Sequence, residues 1–185
     1  MTELNITLTP LTEDDREQFI LDNQYAFKFG ALEEFGMRDD HLDANDEIIS
    51  RTTIEHCIDH GVAYRIREGG NVIGGLILNI NEQTQHNELE ILFVSPDAHS
   101  KGIGTAAWRE VERMYPDTVV WETCTPYFEK RNIHFYINKC GFSAVEFFCE
   151  YHRDPLENER FGPPEEICPE DEGPDEMFRF VKYMK

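Results

Sequence analysis

The stretch from Leu89 to Ala106 reads LEILFVSPDAHSKGIGTA, and it decides how the rest of the chain is interpreted. The residues up to Val94 predict a β-strand, Pro96 marks a turn, and two closely spaced glycines precede the start of a helix. At a helix N-terminus the first backbone N–H groups have no helical partner and lie at the positive end of the helix dipole. We therefore predict that the amides of residues 101–105, called the glycine loop below, bind an anion such as a phosphate.

The strands that precede this stretch are close to one another in sequence. Val62 to Arg67 and Val72 to Ile80 flank the turn Gly69-Gly70-Asn71, which is typical of a β-hairpin. Glu88 to Val94 follows after a polar link. Three consecutive strands with short connections indicate an antiparallel meander, because parallel strands would need helices between them.

The remainder of the chain alternates strands with amphipathic helices. The sequence predicts a strand at 4–11, helices at 12–27 and 49–61, a helix at 102–114, a strand at 118–124, a helix at 129–140, and strands at 142–151 and 177–184. Arg153 to Glu176 contains ten carboxylates and five prolines, and so few apolar residues that we predict a solvated acidic connector. We interpret residues 1–185 as a single domain with this acidic, proline-rich loop before the last strand.

Composition excludes several classes of partner. The chain has 185 residues and a formal net charge of −20, from 37 acidic and 17 basic side chains. Such a charge repels nucleic acids and anionic membrane surfaces, so we expect neither as a partner. The five cysteines lack metal-binding spacing and suit thiols in a reducing compartment, the start of the chain has no signal-peptide pattern, and we predict a cytoplasmic protein.

A nucleotide-binding interpretation of the glycine loop is the alternative. Gly102, Gly104 and Ala107 satisfy the G-x-G-x-x-A pattern, and Glu122 follows at the distance where a dinucleotide fold places its ribose-binding acid. However, the seven residues between Val94 and Gly102 are too many for the tight turn of that fold. The predicted antiparallel meander also disagrees with a doubly wound sheet, which makes a dinucleotide-binding oxidoreductase the weaker alternative.

Two motifs resemble those of the Gcn5-related N-acetyltransferases, the GNAT family. The family carries V-x-P, a short spacer and [Q/R]-x-x-G-x-[G/A] at the start of a helix; this chain has Val94-Ser95-Pro96 and then HSKGIG at residues 99–104. The second family motif is a helix with an aromatic pair that runs into Gly-Phe, and it corresponds to NIHFYINKCGF at residues 132–142. The two motifs occur in the family's order, with a predicted strand between them.

The resemblance implies an α/β (α+β) fold with a mixed, mainly antiparallel, splayed sheet of about seven strands flanked by about four helices. It also implies acetyl-CoA as the co-substrate. The pyrophosphate would bind the glycine loop, and the pantetheine arm would pair with the strand like an added strand. The coenzyme-binding residues expected from this likeness are Phe93, Val94, His99, Lys101, Gly102, Ile103, Gly104 and Thr105.

Acyl transfer to an amine requires a proton acceptor, because an alkyl ammonium must lose a proton before it attacks. Strand alternation places Glu88, Glu90, Leu92 and Val94 on one face and Leu89, Ile91 and Phe93 on the other. We predict Glu90 as the general base, with Glu88 behind it. The resemblance further implies that a backbone amide near Val94 stabilises the thioester oxygen.

The resemblance implies that Tyr136 protonates the departing thiolate. Tyr136 lies five residues before Gly141, whereas many family members have four, and Tyr127 is a nearby second tyrosine. Many members also carry an asparagine seven residues before the tyrosine, where this chain has Glu129.

These observations predict an N-acetyltransferase that moves an acetyl group from acetyl-CoA to an amine by direct attack in a ternary complex. A module that binds acyl-CoA without turnover is the alternative from a different class. We expect the acceptor to be a small molecule or a protein, and a homodimer through the exposed late strands. The seven histidines show no metal-ligand spacing, so we predict no metal.

Overall fold

The computed structural model describes residues 4–35, 47–98, 102–162 and 176–184. The helices are α1 (Arg16–Phe35), α2 (Arg51–His60), α3 (Ile103–Met114), α4 (Lys130–His134) and α5 (Glu157–Phe161). The strands are β1 (Ile6–Pro10), β2 (Val62–Glu68), β3 (Asn71–Asn79), β4 (His86–Val94), β5 (Val120–Pro126), β6 (Ser143–Phe148) and β7 (Met177–Tyr183). Among the described helices, none is long and apolar enough to cross a membrane.

The seven strands form one sheet in the order β1-β2-β3-β4-β5-β7-β6. Neighbouring strands are antiparallel except β4 and β5, which run parallel and pair from His86–Val120 to Glu88–Glu122. In the described ladder no pairing between β4 and β5 continues past Glu88 and Glu122, so the last part of β4 has an open edge. The mixed, splayed sheet predicted from the sequence is confirmed, and a doubly wound sheet is not formed.

A β-bulge at Glu90 changes the faces of β4. Ile77 of β3 pairs with Ile91, but Leu78 pairs with Leu89, which leaves Glu90 as an extra residue. Leu89 therefore packs in the core on the α3 side of the sheet, whereas Ile91 and Phe93 pack in the core on the α1–α2 side. The prediction that Leu89, Ile91 and Phe93 share one face is wrong, because strict alternation fails at a bulge.

Helix α1 is fixed to the sheet by a buried arginine. Arg65 of β2 is 2% exposed, and its guanidinium pairs with Asp15 at 2.7 Å and with Asp22 at 2.8 Å. The same guanidinium lies 5.0 Å from the centre of the Phe19 ring. A planar, always charged guanidinium suits two carboxylates at once, and these contacts define where α1 lies over β3 and β4.

The helix predicted at 129–140 is α-helical only in its first part. After α4 the chain continues as a wider π-helical turn, Phe135–Cys140. The N–H groups of both Gly141 and Phe142 donate to the carbonyl of Tyr136, the latter at 2.9 Å. A π turn contains one residue more than an α turn. This extra residue accounts for the spacing of five between Tyr136 and Gly141.

The beginning of the acidic segment is ordered against the protein, contrary to the predicted solvated connector. Residues 157–161 form α5, and the side chain of Arg160 is 6% exposed. The carbonyl of Arg160 accepts from Sγ of Cys57 at 3.6 Å, and that of Glu159 lies 3.1 Å from Nε2 of His56. The composition is polar, but the backbone of α5 packs on α2 and the Arg160 side chain is buried in ion pairs. The rest of the predicted loop, 163–175, lies outside the described residues.

Candidate functional site

A cavity of about 250 Å³ lies between α1, the open edge of β4, the start of α3 and α4. Most side chains of its wall are apolar, among them Phe27 of α1, Phe93 of β4, Ile103 of α3 and Phe135 after α4. The splay between β4 and β5 produces the opening, because two fully paired strands would leave no edge for a ligand. A concave, mostly apolar site with a few polar groups is the usual form of a small-molecule site.

The glycine loop forms one end of this cavity. Gly102 caps α3 with a left-handed backbone, φ 76°, which a residue with a side chain adopts only with strain. The first helical hydrogen bond runs from the N–H of Ala106 to the carbonyl of Gly102, so the amides of Ile103 to Thr105 precede the helical ladder. Gly102, Ile103, Gly104 and Thr105 all line the cavity, while His99 and Lys101 lie outside the described residues.

Gly104 permits a close approach between α3 and the residues after α4. A Cβ atom at position 104 would lie 3.2 Å from Cε2 and 3.3 Å from Cζ of Phe135. The absence of a side chain keeps both the Phe135 ring and the backbone amides within reach of the cavity. This arrangement fits a phosphate group that binds directly to the backbone.

The open edge of β4 provides the second wall. Phe93 and Val94, the strand residues predicted to contact the coenzyme, both line the cavity, and Leu92 lies there as well. An extended ligand can hydrogen-bond to such an edge as an added strand would. The glycine loop and the strand edge are thus brought together in one cavity, as the stretch from Leu89 to Ala106 predicts.

Two further walls were not predicted. Ala26, Phe27 and Gly30 of α1 line the cavity, and no motif in the sequence indicates this role. Asn132 and Phe135 also line it, together with Arg131 and Glu129. Asn132 and Phe135 belong to the second motif, at residues 132–142, so the motif could have been used to predict that α4 contributes a wall of the cavity. Glu129, which stands where many family members have asparagine, is 7% exposed.

Glu90, the predicted base, lies at the bulge on the α2 side and does not line the cavity as described. Burial raises the pKa of its carboxyl to about 7, against the lowering effects of hydrogen bonds with Asn79 and Cys57 and of the charge of His60. Oε2 has no hydrogen-bond partner in the described residues. A carboxyl with a pKa near neutrality can accept and release protons at physiological pH.

Glu90→Gln is expected to stabilise the protein more as the pH rises. The pKa of the Glu90 carboxyl is about 7 in the folded protein, above the ordinary 4.5 of the unfolded chain. Ionising the buried carboxyl therefore lowers the stability of the fold as the pH rises from 4.5 to 7, and this loss of stability persists at higher pH. Glutamine stays neutral, and the difference in unfolding free energy should grow by about 2.5 kcal/mol from roughly pH 5 to pH 8. Urea unfolding at both pH values measures it, with the exposed Glu82→Gln as the control for loss of one charge. A difference independent of pH would contradict the raised pKa.

Tyr136 lies one ring behind the cavity wall. It is 6% exposed, and its ring centre is 5.4 Å from that of Phe135, which lines the cavity, and 5.8 Å from that of Phe142. Burial raises the pKa of its phenol well above the usual value, while Thr123 beside the hydroxyl acts in the opposite direction. The phenol therefore keeps its proton at neutral pH. Tyr127, the second tyrosine, is 45% exposed and packs edge-on to Phe128.

A buried arginine occupies the point where β4 and β5 separate. Arg160 pairs with Glu88, with Glu122 at 3.5 Å and with Asp154 at 3.0 Å. Glu88 therefore contacts Arg160, although the sequence predicted it behind Glu90. Glu122 also binds Arg179 at 2.7 Å, so the acid of the dinucleotide alternative is already engaged in ion pairs.

The sequence profile described as the acetyltransferase (GNAT) family matches residues 19–142, from the first half of α1 to the second residue after the π turn. The match covers more than half of the chain, including both motifs. The chain belongs to the GNAT acetyltransferase family. Membership supports acetyl-transfer activity and does not identify the acceptor.

Relatives and solved structures agree with this assignment. The uncharacterized protein YrkN of Bacillus subtilis strain 168 is 43% identical over 183 residues, which cover 99% of this chain and 96% of YrkN. A GNAT family acetyltransferase from Elizabethkingia anophelis with acetyl-CoA bound has a TM-score of 0.62 at 16% identity, with 98% of this chain and 100% of that chain covered.

A spermidine N-acetyltransferase from Vibrio cholerae, in complex with CoA and spermine, has a TM-score of 0.60 at 16% identity. The comparison covers 96% of this chain and 95% of that one. At these identities the solved structures establish the GNAT fold alone. Within the described ranges of this GNAT domain, no three His, Cys, Asp or Glu side chains are grouped to hold a metal ion.

Proposed function

We propose that this protein is an N-acetyltransferase that moves the acetyl group of acetyl-CoA to an amine of an acceptor within a ternary complex. The observation that carries the proposal is a single cavity in which the glycine loop meets the open edge of β4. The backbone amides of the glycine loop fit a pyrophosphate, and the open edge of β4 fits the amide-bearing pantetheine arm.

The proposed reaction proceeds along β4. With the pyrophosphate at Gly102 to Thr105 and the arm beside Leu92 to Val94, the thioester would lie at the strand edge close to Val94, on the side of the bulge at Glu90. The amine nitrogen attacks the carbonyl carbon, the C–S bond breaks, and the proton that the amine loses passes through water to Glu90, which lies outside the cavity wall. A backbone amide near Val94 stabilises the oxyanion. The thiolate takes a proton from Tyr136.

Tyr136→Phe tests the proton donor. Thr123, beside the hydroxyl, is the first residue of β5 beyond its pairing with β4, which supports a position of the hydroxyl near the splay. We expect kcat to fall about 100-fold with unchanged affinity for acetyl-CoA, because general acids contribute on this scale. Tyr127→Phe is the matched control on an exposed tyrosine. Equal turnover by Tyr136→Phe and the wild type would remove the acid role.

Calorimetric titration with acetyl-CoA, with NAD and NADP as controls, tests the proposed function directly. We expect the protein to bind acetyl-CoA and to bind neither NAD nor NADP. A panel of polyamines, aminoglycosides, amino acids and peptides then serves to find the acceptor, with release of free CoA as the measured signal. Binding of acetyl-CoA without turnover on the whole panel would favour the acyl-CoA-binding module. Binding of NAD or NADP instead would contradict the proposal.

The acceptor, the oligomeric state and the location in the cell stay as predictions. The net charge of −20 favours a cationic acceptor over an anionic one and disfavours nucleic acid and membrane surfaces. Val145 and Phe147 of the edge strand β6 are 50% and 37% exposed, which supports a homodimer through the late strands.

A further inference from the structure

The π turn that carries Tyr136 is held at its last residue by a lysine of β7. Nζ of Lys182 donates to the carbonyl of Cys140 at 2.6 Å. The next residue, Gly141, has a left-handed backbone, φ 80°, and ends the helical segment. Carbonyls in the last turn of a helix have no helical partner, and a cation placed there also lies at the negative end of the helix dipole. Lys182 therefore stabilises this end of the turn both as a donor and as a charge.

Lys182 is in turn fixed to α3. Its ammonium forms an ion pair with Glu112, and the same carboxylate oxygen accepts from Nε1 of the buried Trp108 at 2.8 Å. The Trp108 ring packs against Phe142, with the ring centres 5.2 Å apart, and Nζ of Lys182 lies 5.9 Å from the centre of the Trp108 ring. The ammonium therefore cannot leave the Cys140 carbonyl without disturbing an ion pair that is anchored in the core.

The position of Tyr136 depends on the end of the turn that Lys182 holds. The carbonyl of Tyr136 accepts from the N–H groups of both Gly141 and Phe142, the two residues directly after Cys140. In an α turn the same carbonyl would accept from the N–H of Cys140 instead. An α turn has one residue fewer, so a change to α pairing would rotate Tyr136 about the helix axis relative to Gly141 and Phe142. The choice between the two pairings thus determines where the phenol lies.

We propose that Lys182 is a positioning residue for acyl transfer: by binding the Cys140 carbonyl it maintains the π pairing, and this keeps the Tyr136 hydroxyl where it can protonate the thiolate. The proposal rests on the proposed function, because it concerns the proton donor of that reaction. Lys182 acts through the backbone of the turn and is not among the described residues that line the cavity. Its removal should therefore affect the rate of the reaction and not the binding of the coenzyme.

Lys182→Met in the full chain tests the proposal by kinetics, with Lys139→Met as the control, since Lys139 is an exposed lysine of the same turn. Methionine keeps an apolar chain beside Trp108 and removes the ammonium. We expect kcat to fall at least about ten-fold, because a small displacement of a catalytic group is enough for such a loss. KM for acetyl-CoA should change by less than about two-fold. Lys182→Arg should restore most of the rate, since a guanidinium also donates to a carbonyl.

A double variant separates positioning of Tyr136 from a general structural role. In a protein that already carries Tyr136→Phe, the hydroxyl is gone and its position no longer matters. Adding Lys182→Met to that protein should then lower kcat by less than about two-fold, although the same change costs at least about ten-fold in the wild type.

Amide hydrogen exchange measures the turn without any turnover. The N–H groups of Gly141 and Phe142, which make the π pairing, should exchange at least about ten-fold faster in Lys182→Met than in the wild type and in Lys139→Met. If Lys182→Met does not fold, Glu112→Gln takes its place with the same criteria. That change removes the charge that holds the ammonium and keeps an acceptor for Trp108.

Either of two results overturns the proposal: unchanged exchange at Gly141 and Phe142, or an equal loss of kcat with and without the Tyr136 hydroxyl. A wild-type protein without turnover contradicts the proposed function instead. The exchange of the two amides then decides by itself whether Lys182 holds the turn, so the two failures are distinguishable.

Discussion

Replacing Gly104 by valine is expected to weaken acetyl-CoA binding at least about a hundred-fold, because overpacking a filled site costs on the order of 1–3 kcal/mol and the ligand loses its backbone contacts as well. A Cβ at this position already lies 3.2 Å from the Phe135 ring. The two further methyl groups of valine must displace that ring or enter the cavity. Either change keeps a phosphate away from the amides of the glycine loop.

Calorimetric titration of Gly104→Val with acetyl-CoA measures this effect. Arg109→Val, on the exposed face of α3, is the matched control for a β-branched residue in the same helix. Gly104→Val should melt at a lower temperature than Arg109→Val, since the Phe135 ring must move, so both variants are titrated well below their melting temperatures. Wild-type affinity in Gly104→Val would show that the coenzyme does not approach the glycine loop.

Replacing Arg160 by methionine is expected to cost about 3–5 kcal/mol of unfolding free energy, the usual loss when one partner of a buried ion pair is removed. The guanidinium is 6% exposed and faces Glu88, Glu122 and Asp154. Burial lowers its pKa to about 10, so it is charged at neutral pH. Without it, these carboxylates repel one another where β4 and β5 separate.

Denaturant unfolding of Arg160→Met measures this loss. Arg113→Met is the control, because Arg113 is 72% exposed and pairs with Glu110 on the surface of α3. Its replacement should change stability by less than about 0.5 kcal/mol. Adding Glu88→Gln to Arg160→Met should restore part of the lost stability, since one unpaired charge disappears. Equal stability of Arg160→Met and Arg113→Met would contradict the buried role of Arg160.

The sequence predicts those parts of the site that are formed by residues close to one another along the chain. Leu89 to Ala106 contains the strand, the turn and the glycine loop, and in the structure these residues meet in one cavity. The order of strands and helices follows from local apolar periodicity for the same reason. Periodicity cannot register the bulge at Glu90, because an extra residue in one strand is defined by its partner strand.

The unpredicted parts depend on contacts between distant residues. Arg160 lies in an acidic, proline-containing segment that composition assigns to solvent, but its partner Glu88 is 72 positions away in the chain. Ala26 and Phe27 belong to a helix without a motif, and only the crossing of α1 over β4 shows which of its residues face the cavity. Such positions become apparent only when the packing is known.

The π turn after α4 has a consequence for aligning this chain with other members of the family. An alignment fixed on Gly141-Phe142 without a gap places Ile137, which is 39% exposed, opposite the tyrosine of members with the shorter spacing. One inserted position within residues 137–140 restores the match of the buried Tyr136. Relatives that share this insertion should share the π turn, which makes a single gap in an alignment a marker of local backbone geometry.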